Sequence, residues 1–202
     1  MFIMALFVGV LSPTAAYSGV PPLEDYARLP QISAASVSQS GLRYAIATTE
    51  DSKQRVVIRE NDEAILGVPY EGFSIEQLAW AGDDILLILA SRMSDFNVAI
   101  WPSRFNQLTV VNVRTGKVRQ AFNGSNSRYL PLISCICKID QVDGHWSVYL
   151  GLAEIGTVSP DSDLQKIPMR VRYDLETGKQ DIVARDREGV QSMSWAVAGD
   201  GT

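Results

Sequence analysis

The sequence predicts an all-β fold assembled from repeated four-stranded antiparallel units, on three observations. From Ile32 onward the 3.6-residue helical period is absent. Short runs rich in Val, Ile, Thr and aromatic residues are punctuated by Gly, Asp and Asn instead, as in strands joined by tight turns. A strand ending in Trp and followed by a Gly/Asp turn occurs twice, as Leu78-Ala79-Trp80-Ala81-Gly82-Asp83-Asp84 and as Met193-Ser194-Trp195-Ala196-Val197-Ala198-Gly199-Asp200-Gly201. A second internal match aligns Val111-Asn112-Val113-Arg114-Thr115-Gly116-Lys117 with Tyr173-Asp174-Leu175-Glu176-Thr177-Gly178-Lys179.

The chain opens differently. Phe2–Leu11 is an apolar run, followed by Pro13 and the small residues Thr14-Ala15-Ala16. It has the form of a secretory signal peptide over residues 1–18, too short for a bilayer span of ~20 residues. No Lys or Arg precedes the run, and a buried core strand or helix is the alternative. Residues 19–31 form a lead-in, with room for one helical turn within Val20–Pro30.

The strand runs then fall into groups of four. The first group is Ile32–Val37, Leu42–Thr49, Gln54–Arg59 and Ala64–Gly67. The second is Phe73–Trp80, Ile85–Ser91, Gln107–Val113 and Val118–Phe122. The third is Leu132–Ile139, Trp146–Ala153, Met169–Tyr173 and Gln180–Ala184, and a fourth begins at Val190–Trp195. Group starts near residues 32, 73, 132 and 190 are spaced about 41, 59 and 58 residues apart. Segments Met93–Asn106 and Glu154–Pro168 separate the second and third strands of groups two and three, and without them the period is about 45 residues. A four-stranded unit of this period is a β-propeller blade. Antiparallel strands reverse at each turn, so both inserted segments should leave by one face of the propeller, and loops so placed often carry function. In each Thr-Gly-Lys hairpin, Gly116 or Gly178 takes the position that needs a positive φ. The second Trp-turn copy is followed by Thr202 alone. Residues 32–202 are therefore expected to be an incomplete propeller: three blades and the first strand of a fourth, with the outer faces of the first and third blades uncovered.

Composition narrows the function classes. The 202 residues are 46% hydrophobic and 20% charged, a globular composition, with formal net charge -5. With no basic cluster, nucleic acid is not an expected partner. One His and two Cys leave little for a zinc site or for nucleophilic catalysis.

The stretches Leu29-Pro30-Gln31-Ile32 and Val37-Ser38-Gln39-Ser40-Gly41-Leu42-Arg43-Tyr44-Ala45 resemble the opening of the propeller in the prolyl oligopeptidase family of serine peptidases. Exported bacterial members similar to acylaminoacyl and dipeptidyl peptidases are the nearest in pattern. The family's Val-Ser-Pro-Asp-Gly turn is degenerate here, with Gln39 and Ser40 in place of Pro and Asp and with Gly41 kept. Leu78–Asp84 and the Thr-Gly-Lys hairpins fit the same pattern, and the likeness runs from Pro22 to Gly201. Periplasmic propellers of the translocation-associated type share the Ser-Pro-Asp-Gly turn. The resemblance implies a non-catalytic propeller that gates peptide substrates into a C-terminal α/β-hydrolase domain, in a protein exported to the periplasm or beyond. That hydrolase lies outside this sequence, where no Gly-x-Ser-x-Gly nucleophile elbow occurs. The alternative is a self-standing periplasmic or extracellular protein-binding module. No catalytic, cofactor-binding or metal-binding residue is assigned, and no cofactor or stable membrane span is expected.

Several residues invite a functional role and receive a structural one. His145 follows Asp143-Gly144 and is expected as an exposed turn residue, lacking the partners that catalysis or a metal would need. Cys135 and Cys137, at i and i+2 on a strand, share a face; they are expected as buried thiols, with a disulfide or redox role as the alternative. Asp83-Asp84 is expected to serve its turn, and Asp161-Ser162-Asp163 lacks the oxygens around it that calcium requires. Trp80 and Trp195 are expected to pack between adjacent blades.

Overall fold

The computed structural model describes residues 31–50, 53–94, 103–122, 129–155 and 166–185. The expected signal peptide, Asp161-Ser162-Asp163 and the fourth-blade strand Val190–Trp195 lie outside these residues. The described chain is all-β. Its strands in order are β1 (Ile32–Val37), β2 (Arg43–Glu50), β3 (Lys53–Glu60), β4 (Glu63–Tyr70), β5 (Ser74–Ala81) and β6 (Ile85–Ser94). They continue with β7 (Ser103–Asn112), β8 (Lys117–Gln120), β9 (Tyr129–Val142), β10 (His145–Ile155), β11 (Lys166–Asp174) and β12 (Gln180–Arg185).

These strands form three antiparallel four-stranded sheets, each a simple meander of β1–β4, β5–β8 or β9–β12. All three expected blades are present with the expected membership. The hairpins follow from turn chemistry. Asn61 and Asp62, both at positive φ, join β3 to β4, and Asp143-Gly144, also at positive φ, joins β9 to β10, as two-residue hairpin turns require. Gly116 (φ 70°) and Gly178 (φ 80°) hold the expected left-handed position in the two matched hairpins. The match extends to side chains. Asn112 Oδ1 accepts from the Thr115 amide at 2.9 Å, and Asp174 Oδ1 accepts from the Thr177 amide at 2.8 Å.

The second blade is buried on both faces. Along β6, Leu86, Ile88 and Ala90 enter one core cluster with Ala45, Ala47, Val56 and Ile58 of the first blade. Their alternates Ile85, Leu87 and Leu89 enter another with Val148, Leu150, Met169 and Val171 of the third. Successive strand residues point to opposite faces, so an unbroken apolar run is what a sheet sandwiched between two others demands. The first blade shows the contrasting pattern. Ala45, Ala47, Val56 and Ile58 face the second blade and are buried, whereas Tyr44, Ile46, Thr48, Val57 and Arg59 on its other face are half-buried. That outer face is mixed and not wholly apolar, and its strongest apolar exposure is on the edge strand, at Ile32 (58%) and Val37 (62%).

Much of each expected inserted segment is strand. β6 and β7 stay paired out to Ser94↔Ser103, and β10 and β11 out to Ile155↔Lys166. Arg92 explains part of the first extension, its guanidinium lying 5.0 Å from the Phe73 ring centroid and 5.4 Å from that of Phe105. Both extended hairpins leave their sheets at the end where the first strand of the blade begins, since Ser74 pairs with Ser91 and Tyr129 with Glu154.

Candidate functional site

The opposite ends of the blades, where β1–β2, β5–β6, β9–β10 and the Thr-Gly-Lys hairpins turn, carry most of the polar contacts between blades. Between the first and second blades the centre is Arg43, at the start of β2. Its Nε donates to Glu60 Oε1 at 2.8 Å. Its Nη1 donates to Asp84 Oδ1 at 2.7 Å and to the Asp83 carbonyl at 3.0 Å. Asp83 Oδ1 accepts from the Ser40 amide at 2.8 Å. That amide, with the Ser40 and Ser38 hydroxyls and the Arg43 charge, holds the Asp83 carboxyl below its ordinary range. Trp80 Nε1 donates to the Ser36 carbonyl at 3.2 Å. Trp80 thus packs between blades as expected, while Trp195 lies outside the described residues. The Gly/Asp turn also does more than reverse the chain, because its carboxylates fasten the first blade to the second.

Between the second and third blades the stitching uses different residues. Gly82 (φ 64°) lies under the Trp146 indole, and a Cβ there would come within 3.0 Å of Trp146 Cζ2. Arg119 Nη2 donates to the Leu175 carbonyl at 2.8 Å, and its guanidinium lies 5.6 Å from the Tyr173 ring centroid. At the opposite end, Asn106 Nδ2 donates to the Ile133 carbonyl at 2.8 Å.

These contacts bound a cleft of about 530 Å³ between the two blades. Ile85, Val110, Leu175 and Trp146 give it apolar walls, and Asp84, Arg114, Lys117 and Glu176 are among its charged groups. The charges are unevenly committed. Asp84 is bound to Arg43, and Glu176 Oε2 lies 3.2 Å from His145 Nδ1. Arg114, largely exposed, reaches Asp84 only at 3.9 Å. A concavity of this size with apolar walls and a few polar groups suits binding of a small polar molecule or a peptide end. Among the described residues that line it there is no Ser or Cys nucleophile with an adjacent base.

The residues singled out from the sequence do not converge. His145 is the first residue of β10, with a side chain 44% exposed, beside Glu176 and with Asp174 Oδ2 at 3.9 Å. It is a half-buried strand residue beside the turn, in an acidic setting, and not the solvent-exposed turn residue expected. Cys135 and Cys137 correct the expectation of buried free thiols: they are half-buried and joined by a disulfide. The expectation assumed a regular strand, whereas β9 bulges there. Tyr149 pairs with Lys138 and Leu150 with Ile136, so Cys137 drops out of register. Among the described residues no group of three or more His, Cys, Asp or Glu is placed to hold a metal ion. Sequence reasoning missed Arg43, Arg119 and Trp146 as the residues that join blades. Their partners are carbonyls, a glycine and carboxylates tens of residues away, which no local pattern reveals.

Compared with protein-family models and with curated proteins, the chain matches none.

Proposed function

We propose that the chain is a non-catalytic N-terminal propeller segment of an exported serine peptidase similar to the prolyl oligopeptidase family, gating peptide access to a C-terminal α/β-hydrolase domain. The observation that carries this reading is a coincidence of motif and position. The stretches that resemble the family, Val37–Ala45 and Leu78–Asp84, are the two turns clamped together by Arg43, Ser40 and Asp83. Their resemblance therefore coincides with the contact that sets one blade against the next, which a gating propeller must hold rigid. The extended hairpins β6–β7 and β10–β11, rising from one end, give this segment its reach toward an apposed domain. In this role the blades exclude bulky polypeptides by shape, and the bond-breaking groups belong to the hydrolase. The test is the coding DNA after codon 202. A hydrolase reading frame with a Gly-x-Ser-x-Gly elbow, whose joined product reacts with a serine-directed fluorophosphonate, supports the proposal; unrelated sequence overturns it.

A second reading, a self-standing protein-binding module outside the cytoplasm, is favoured by the cleft between the second and third blades. Its walls and charged rim suit a peptide segment with a carboxylate near Arg114 and Lys117. Retention of such peptides by the chain alone, lost in Lys117→Glu, would favour this reading over the first.

A further inference from the structure

We infer that Cys135 and Cys137 form a reversible thiol–disulfide exchange site, reduced by a small dithiol while the fold stays intact. Four observations carry it. First, the bridge closes a ring over residues two apart in sequence. Cross-links stabilise chiefly by restricting the unfolded chain, and the effect grows with loop length, so a bridge this short contributes least as a staple. Second, β9 is shaped around it. Regular strands advance about 3.3 Å per residue, yet the two Cα atoms are only 5.2 Å apart. The contraction coincides with the register shift that leaves Cys137 unpaired between Ile136 and Lys138. Third, the residue opposite Cys135 is Gly151. A Cβ there would first meet the Ser134 hydroxyl and also come within 3.0 Å of Cys135 Sγ, so the glycine leaves room for both that hydroxyl and one sulfur of the bridge. Fourth, β9 is the edge strand of its sheet and both cysteines are half-buried, which leaves the sulfurs within reach of a small molecule. Bulges at sheet edges are commonly sites where pairing yields to function.

The exchange balances without further reactants. A thiolate of the dithiol attacks one bridge sulfur, forming a mixed disulfide and releasing the other cysteine as a thiolate that takes up a proton. The second thiol of the reagent then attacks the mixed disulfide, its thiol proton ends on the released cysteine, and the reagent leaves as its cyclic disulfide. The protein gains two electrons and two protons, and the reagent is oxidised by the same amount.

The test uses the full chain equilibrated without oxygen at graded ratios of reduced to oxidised dithiothreitol. Samples are quenched with N-ethylmaleimide and weighed by mass spectrometry, and near-ultraviolet circular dichroism is read in parallel. The expected result is a single reversible transition from no label to two labels per chain, with the dichroism retained. Thiols that stay free at every ratio, or a bridge that yields only after denaturant unfolds the chain, would overturn the proposal. Gly151→Ala provides an independent check, because its methyl opposes the fixed sulfur of the bridge more than the rotatable thiol. It should lower the ratio of bridge to dithiol about tenfold at a fixed reagent ratio. An unchanged ratio in that variant would remove the role given to Gly151 and overturn the site as described.

Discussion

Replacing Arg43 by Ala should loosen the first blade from the second, through Asp83 and Asp84, and remove an ion pair to Glu60 within the first blade. The guanidinium is 19% exposed and its carboxylate partners Glu60 and Asp84 are 35% and 44% exposed. Fully exposed ion pairs contribute about 0.2–1 kcal/mol, and hydrogen bonds to buried charged groups about 1.5–3 kcal/mol. These contacts are intermediate in exposure, so each of the two pairs is given about 1 kcal/mol. The hydrogen bond to the Asp83 carbonyl brings the total loss to about 2–3 kcal/mol. Arg43→Lys keeps the charge but not the fork that reaches two carboxylates and a carbonyl at once, so it should recover less than half. The assay is urea unfolding followed by Trp fluorescence, with Asp84→Asn as the second arm of a double-mutant cycle. A coupling of about 1 kcal/mol between the two positions is expected, falling as salt is raised. If Arg43→Ala unfolds at the wild-type midpoint, or the two substitutions are additive, the clamp is not an energetic contact.

Two further predictions concern the core. Val111 is fully buried against the first blade, beside Leu86 by register. Val111→Asp should therefore cost several kcal/mol, since it loses apolar burial and buries a carboxylate; a wild-type-like thermal melt would refute the placement. Burial pushes the Tyr70 hydroxyl up to about 12, with Thr109 offsetting part of the effect. The unfolded chain then loses this proton at lower pH than the folded one, so stability is full below about pH 10 and falls as pH rises toward 12. Tyr70→Phe should remove up to about 2–3 kcal/mol of that alkaline loss. An unchanged slope of stability against pH in the variant would show that Tyr70 does not cause it.

The sequence made the strands and their grouping legible because both rest on local signals. Alternation, β-branched runs and Gly/Asp turns act over a few residues, and the Thr-Gly-Lys match set the register of the second and third blades. Strand ends were less legible. Arg92-Met93-Ser94 and Ser103-Arg104-Phe105 are too polar to read as strand, yet pairing and the two aromatic rings beside Arg92 carry β6 and β7 through them. The cysteine pair was misjudged for a related reason, since a bulge changes which residues face each other and leaves no mark in composition. The cleft was not legible at all. Its walls come from two blades, and the groups around it are held across blade boundaries, Arg119 and Trp146 by contacts between the second and third blades and Asp84 by Arg43 of the first.

The claim on which the rest depends is that the second blade is covered on both faces, as in a propeller. Leu86 and Leu87 are adjacent in β6, fully buried, and directed into different core clusters. The deciding measurement is the urea midpoint of Leu86→Ala and Leu87→Ala, each made alone. Stacked blades predict that both variants lose about 2–5 kcal/mol, because each leaves a cavity in a closed interface. A large loss at one position and a change within about 0.5 kcal/mol at the other, the mark of a sheet with one face in water, would contradict the propeller arrangement.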